Sequence, residues 1–384
     1  MRKLILLLLV IHSLYVSAQI LPGACQIDEY FPIIKGKKVG IVANQSSLIG
    51  NTHLVDSLLS LEVNIKKVFA PEHGFRGNSE AGAWIEDGID VKTGLPVISL
   101  YGNNKKPKDE QLDGLDVILY DLQGVGARFY TYISTLKYVM EACGENQIPI
   151  IVLDRPNPNI HIIDGPLLQT GLESFVGIMP IPILYGMSDA ELAQMINGEN
   201  WNTTNCELRL IANKNYYRNS VYELPVKPSP NLPNFQSIYL YPSLCLFEGT
   251  PISIGRGTDF PFQVIGYPEN KLGSFVFTPK SIPGVSEHPK FKNEPCYGTN
   301  LQNLYQSINE KPKQLNLNWL IDYYKNYPDK ANFFNPFFDK LAGTSDLKKQ
   351  IESGWTEEQI RNSWQKELNE FKEKREKYLI YQSK

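Results

Sequence analysis

Between Lys37 and Asp154 the sequence alternates short runs that are apolar throughout with stretches of helical periodicity. The runs KKVGIVANQ, VNIKKVFA, LPVISLYG, LDVILYDLQ and IPIIVLDRP read as strands. Between them, THLVDSLLSL reads as an N-capped helix, and TYISTLKYVMEACGENQ sets Ile133, Leu136, Met140 and Cys143 on one helical face. A strand that is apolar on both faces has to be covered on both faces, so the pattern specifies a parallel α/β sheet with helices on either side. In such sheets ligands bind outside the carboxyl ends of the strands.

Polar residues collect at those ends. After VNIKKV, the stretch FAPEHGFRG brings Glu72, His73 and Arg76 between a proline and two glycines. After LDVILYD, the stretch LQGVGARFYTY brings Gln123, Arg128 and Tyr130 beside Asp121, and RPNPN brings Arg155 and Asn157 beside Asp154. Side by side, these ends would form one polar crevice. Partial burial would raise the pKa of Glu72 toward that of a general acid, and a nearby arginine would oppose the rise. The plainer alternative is a solvated turn glutamate paired with Arg76, and Arg128 and Arg155 could likewise be clamps that only hold their loops. Phe75, Trp84, Phe129, Tyr130, Tyr132 and Tyr185 offer stacking faces of the kind a sugar cleft uses, although each could equally be core.

The second half is less regular. SDAELAQMINGE reads as a helix with Ser188 as N-cap and Glu191 at the capping-box position, CELRLIAN as a strand, and KPSPNLP, which contains Asn231, as a rigid crossing. Residues 240–266 pack Glu248, Arg256 and Asp259 among glycines and aromatics. Thr356 to Tyr381 reads as one amphipathic helix, with Ile360, Trp364, Leu368, Phe371 and Tyr378 on one face and Glu370/Lys374 and Glu373/Lys377 as i,i+4 pairs.

Several function classes are excluded or disfavoured. A net charge of −3 over 384 residues, with no dense basic block outside the C-terminal end, argues against nucleic acid. MRKLILLLLVIHSLYVSAQ reads as a signal peptide cleaved after Ala18, which makes the product periplasmic or secreted. Its apolar stretch is too short to span a bilayer, no later stretch is long enough, and Pro22 stands where a lipobox before Cys25 would need an aliphatic residue. The five cysteines, Cys25, Cys143, Cys206, Cys245 and Cys296, make neither a disulfide framework nor a CxxC site, though one pair could form in an oxidising compartment. Gly124-Val125-Gly126 lacks the third glycine of a dinucleotide fingerprint, Phe129 standing there, and no GxxxxGK[ST] loop or GxSxG elbow occurs. Glu72, His73, Asp121, Asp154 and His161 include metal-ligand types but no HxxxH or HExxH spacing, so neither a metal nor another cofactor is expected.

The motifs PEHGFRG (71–77), YDLQGVGARFYTY (120–132), LDRPNP (153–158), YGMSDAELA (185–193), PSPNLP (228–233) and FEGTPISIGRGTDFPFQVIG (247–266) together resemble the NamZ-type exo-β-N-acetylmuramidases, formerly a domain of unknown function. The resemblance runs from about residue 37 to the C-terminus. It implies a Rossmann-like domain over 19–180 after a signal peptide at 1–18, a smaller α+β domain over 181–384, and an active-site cleft between them. It also implies release of terminal N-acetylmuramic acid (MurNAc) from the non-reducing end of peptidoglycan fragments, with Glu72 matching the family's catalytic glutamate. One departure is RPNPNIHIIDGP, which reaches Gly165 later than the family pattern does.

The expectation is therefore a secreted, metal-independent glycoside hydrolase acting on MurNAc-GlcNAc muroglycans. Glu72 would be general acid and base, and Glu248 or Asp259 the second carboxylate, unless the substrate's acetamido group takes that part. Arg76, Arg128 and Arg155 are the candidates for the lactyl carboxylate of muramic acid, because a guanidinium fork matches a carboxylate. His73, Asp121, Gln123, Tyr130, Asn157, Asn231 and Arg256 complete the expected substrate contacts. A periplasmic glycan-binding protein without turnover and a metal-dependent hydrolase of another cell-wall glycan bond are the alternatives.

Overall fold

The computed structural model describes residues 19–76 and 87–383, so the expected signal peptide and Trp84 lie outside the described residues. Seven strands form the central sheet: β1 (Val39–Ala43), β2 (Ile65–Ala70), β3 (Gly88–Ile89), β4 (Pro96–Ser99), β5 (Val117–Asp121), β6 (Ile150–Leu153) and β7 (Leu208–Ile211). Their order is β7-β6-β5-β1-β2-β4-β3, and every pairing is parallel except that of β3 with β4. All five apolar runs are strands, and β1 and β5 are buried at every position, as a doubly covered sheet requires. From β1 the chain steps through β2 and β4 on one side, then returns to β5 on the other. The switch point thus falls between β1 and β5, and a crevice opens at the carboxyl ends.

Three helices on this sheet keep their sequence signatures. α1 (Leu54–Ser60) is capped by the His53 ring, which accepts from the Val55 amide at 3.2 Å. α2 (Tyr132–Glu145) buries Ile133, Leu136, Met140 and Cys143, the face read from periodicity. α3 (Asp189–Gly198) opens on the Ser188–Glu191 capping box. The strand read at CELRLIAN is β7, the sheet's edge beside β6, so the sheet continues past residue 180.

The second domain is α+β. Its three-stranded antiparallel sheet pairs Cys296–Asn300 with Val264–Tyr267 and Phe275–Phe277, and α4 (Phe235–Leu244) and α5 (Phe337–Ala342) both pack against the turn at Cys245–Gly249. One buried cluster runs from Val42 and Phe69 through Leu136 and Met187 to Leu244, Phe338 and Phe371, so the two halves share a core on one face of the sheet. The opposite face closes separately around Ile41, Val55, Val68, Leu119 and Leu153.

The C-terminal segment corrects one expectation. It is two helices, α6 (Glu357–Ser363) and α7 (Gln365–Arg375), divided at Trp364, whose φ of −105° and ψ of 0° leave the helical region. Trp364 is buried at the break, and Ile360, Leu368 and Phe371 remain buried on either side, so the face that was read survives although the helix does not. Lys374 meets Glu199 at 3.3 Å, an ion pair to α3's C-terminal end in place of a local one. Beyond α7 the chain returns to the first domain. Glu191 accepts from the amides of Ile380 (2.8 Å) and Tyr381 (3.1 Å) and from Arg218 (2.6 Å), and the Tyr381 hydroxyl donates to Asp154. All five cysteines are free of disulfides, and no helix among the described residues is long and apolar enough to cross a membrane.

Candidate active site

A cleft of about 750 Å3 lies where the carboxyl ends of β2, β4 and β5 face the second domain. The sheet side contributes Glu72, His73, Tyr101, Lys105, Tyr130, Thr131 and Tyr132; the other side contributes Tyr241, Glu248, Arg256, Phe262 and His288. The crevice expected from strand ends is therefore present and is closed by the second half of the chain.

Glu72 owes its place to a tight turn. Right after β2, the Gly74 amide donates to the Pro71 carbonyl at 3.0 Å, and His73 (φ 73°) and Gly74 (φ 77°) both take the left-handed conformation. Histidine is among the residue types that tolerate this region and glycine favours it, which explains the HG pair. The half-buried Glu72 carboxylate accepts a hydrogen bond from the Thr131 hydroxyl at 2.7 Å. It also bonds the Tyr101 phenol, whose pKa is raised by burial and by the charge of Glu72. Beneath it, Tyr130 packs edge-on to Tyr132 and Tyr241 at 4.8 and 5.9 Å and donates to the Pro228 carbonyl at 2.8 Å. The proline-rich crossing is thereby pinned under the cleft.

Glu248 enters from a 3-10 turn, Cys245–Gly249, directly after α4. Its Oε1 accepts from Arg256 Nε at 2.6 Å, and the Arg256 guanidinium lies 4.9 Å over the Phe262 ring. Lys290 Nζ donates to the carbonyls of Phe247 (3.0 Å), Thr250 (2.6 Å) and Ile252 (3.1 Å), which fixes the turn that carries Glu248. Burial alone pushes the Glu248 carboxyl up, but Arg256 and Lys290 outweigh it and hold the carboxyl below the usual range. The cleft thus presents a carboxylate from each half, and the Glu248 one has two cations beside it.

Several expected site residues lie elsewhere because their partners are in the chain. Arg76 holds Asp90 with a two-pronged bond (3.2 and 2.8 Å), reaches Asp56 at 3.4 Å and lies over Phe75. Arg155 grips Asp121 in the same way (2.6 and 2.8 Å) with both side chains buried, so neither lines the cleft. Arg128 is fully buried and donates to four carbonyls, those of Pro166, Ile181, Leu341 and Ala342, at 2.7–3.0 Å. Burial lowers its pKa to about 9. The three arginines act as clamps within the chain, and none of them lines the cleft.

Gln123 donates to the carbonyls of Gly124 and Pro156, and Asn157 to that of Met187, so both serve loop geometry. Asn231 is buried and bonds Val285 at 2.8 Å, behind the cleft wall. Asp259 is exposed and outside the cleft: Gly257, at φ 80°, takes the left-handed conformation between it and Arg256. Tyr185 and Phe75 are core. Of the expected set, Glu72, His73, Tyr130, Glu248 and Arg256 meet in the cleft. Tyr101, Lys105, Thr131, Phe175 and His288 join them without having been singled out. Tyr101 and Lys105 follow β4, so the strand-end rule reaches them; Phe175 and His288 carry no such signal.

Among the described residues no group of three or more His, Cys, Asp or Glu side chains could hold a metal ion. Asp154 is committed to Tyr381 and Asn213, and His161 Nε2 lies 2.9 Å from the Pro312 carbonyl, so the possible ligand types are dispersed.

The motifs around this cleft match family models over nearly all of the described chain. The N-terminal model of exo-β-N-acetylmuramidase NamZ matches residues 39–236 and the C-terminal model residues 239–381. The chain belongs to the NamZ family. It is 40% identical over 377 residues to the peptidoglycan β-N-acetylmuramidase NamZ of Bacillus subtilis (strain 168), covering 92% of this chain and 89% of that protein. Two DUF1343 family proteins of Bacteroides fragilis NCTC 9343 have similar crystal structures. One has a TM-score of 0.88 at 45% identity and covers 96% of this chain and 100% of its own; the other has 0.80 at 29%, covering 94% and 99%. The resemblance read from the NamZ motifs and the expected two-domain Rossmann-like fold are borne out.

Proposed function

We propose that this chain is an exo-acting β-N-acetylmuramidase that removes terminal MurNAc from the non-reducing end of peptidoglycan fragments during cell-wall turnover. The observation that carries the reading is Glu72, delivered to an aromatic-lined cleft by the strand-end turn and opposed by Glu248 from the other domain. Glu72 protonates the glycosidic oxygen as the leaving group departs, and then draws a proton from the incoming water. As the bond breaks, positive charge develops at the anomeric carbon, and an ionised Glu248 offsets it. Whether Glu248 attacks, activates water or orients the acetamido group is read from the anomeric configuration of the first-formed sugar and from trapping of an intermediate. Tyr130, Tyr132 and Tyr241 supply apolar faces for the sugar ring.

Incubation with a chromogenic β-N-acetylmuramide, with and without chelator, tests the reading. Release that survives chelation and is lost in Glu72→Gln is expected; no release by the wild type overturns the reading, and binding without release favours a glycan-binding protein. Loss on chelation favours a metal-dependent hydrolase. The N-terminal leader adds a second proposal, export with cleavage after Ala18. Mass spectrometry of protein recovered from the periplasm or medium should find Gln19 as the first residue.

A further inference from the structure

With Arg76, Arg128 and Arg155 engaged elsewhere, the lysine and arginine side chains lining the cleft among the described residues are Lys105 and Arg256. Arg256 is neutralised by Glu248 at 2.6 Å. Lys105 pairs with no carboxylate among the described residues; its ammonium lies 5.1 Å over the ring of Phe175. We propose that Lys105 binds the lactyl carboxylate of the terminal sugar and so selects MurNAc over N-acetylglucosamine (GlcNAc). The inference rests on the muramidase reading above and names the residue that gives it its specificity.

The placement follows from the wall around Lys105. Phe175 is held by Tyr138 (6.4 Å, stacked) and through its carbonyl, which accepts from Ser134 at 2.8 Å. Tyr101 leans on Phe175 at 5.9 Å and hydrogen-bonds Glu72. Glu72, Tyr101, Phe175 and Lys105 therefore form one continuous side of the cleft. In MurNAc the lactyl ether sits on O3, two ring carbons from the anomeric centre. A sugar whose glycosidic oxygen meets Glu72 carries its carboxylate along the ring away from that oxygen, and the assignment sets it at the Lys105 end of this side.

The energetics favour the same choice. A cation–π contact is a weak resting place for an ammonium, and a carboxylate is a stronger partner that can draw it away at little cost. Glu248 is already offset by Arg256, so the carboxylate that an anionic sugar meets uncompensated is Glu72, and Lys105 is the cation that offsets the approach. A neutral GlcNAc needs none, and that difference is the basis of selection.

Steady-state kinetics on the chromogenic β-N-acetylmuramide, together with titration of free MurNAc and free GlcNAc, test the assignment. Lys105→Met should raise KM for the muramide roughly 10- to 100-fold with kcat changed far less, the effect of losing a hydrogen bond to a charged group. Lys105→Arg should recover most of the loss, and GlcNAc binding should not change. A KM within twofold of wild type for both Lys105→Met and Lys105→Gln overturns the assignment. Circular dichroism checks that each variant is folded. If wild type cleaves no muramide, the muramidase reading fails, and the titration decides Lys105 separately. A wild-type preference for MurNAc that vanishes in Lys105→Met supports it, and an unchanged preference or no MurNAc binding overturns it.

Discussion

The Thr131 hydroxyl donates to Glu72 Oε2 across 2.7 Å, joining the loop after β5 to the turn after β2. Thr131 is the N-cap residue of α2, yet its side chain caps no helix amide. The hydroxyl is used on Glu72 instead, and the positive end of the helix lies beside the same carboxylate. Thr131→Val keeps the shape and removes the donor. It should lower kcat/KM on the chromogenic muramide roughly 10-fold, while Glu72→Gln should lower it by about 100-fold or more. Thermal unfolding should move little in either variant.

Glu248 and Arg256 should act as a unit, because each neutralises the other inside the cleft. A double-mutant cycle of Glu248→Gln and Arg256→Met, read in kcat/KM, should give a coupling of roughly 1–3 kcal/mol. Additive losses would mean that the two residues serve separate steps.

Arg128 tests the distinction between clamp and contact. Arg128→Met strands four buried carbonyls and should cost about 3 kcal/mol or more of stability, measured by denaturant unfolding. The folded fraction should keep KM for the muramide near the wild-type value. A large rise in KM with unchanged stability would return Arg128 to the substrate site.

Two buried carboxyls give the fold a pH dependence. Burial raises Asp154 to about 7, and burial together with the charge of Asp154 raises Asp189 to about 8. Asp189 Oδ2 has no hydrogen-bond partner, whereas Asp154 accepts from Tyr381, Asn213 and Ala190, so the proton belongs on Asp189. Both folded pKa values lie above the unfolded value near 4, so the folded state binds more protons. Stability is accordingly lost as pH rises from about 4 through about 8. Asp189→Asn removes the group that must ionise. Its gain in melting temperature over wild type should be larger at pH 8.5 than at pH 5.5; equal gains at both would show that Asp189 does not titrate in this window.

The sheet was legible because its central strands β1, β5 and β6 are apolar and buried on both faces, a pattern that needs no partner to be recognised. The turn at Glu72 was legible for a related reason: proline, histidine and glycine announce a sharp bend where a strand ends. The arginines were not. A guanidinium looks the same in sequence whether its partner is a substrate or the chain, and the partners lie far off: Asp90 for Arg76, Asp121 for Arg155, and carbonyls at Leu341 and Ala342 for Arg128. Asp259 misled by proximity, since past the left-handed Gly257 it stands exposed outside the cleft that Arg256 enters. Trp364 fitted the apolar stripe of one long helix, and nothing in the stripe records that the backbone breaks beneath it.

The return of Ile380 and Tyr381 to Glu191 and Asp154 has a consequence for how the protein is made. These carboxylates are synthesised long before part of what satisfies them. Until Ile380 and Tyr381 leave the ribosome, or cross a membrane if the chain is exported, the nascent domain carries acids still waiting for their partners. The domain that holds Glu72 is begun early and finished only after the whole of the second domain has been made.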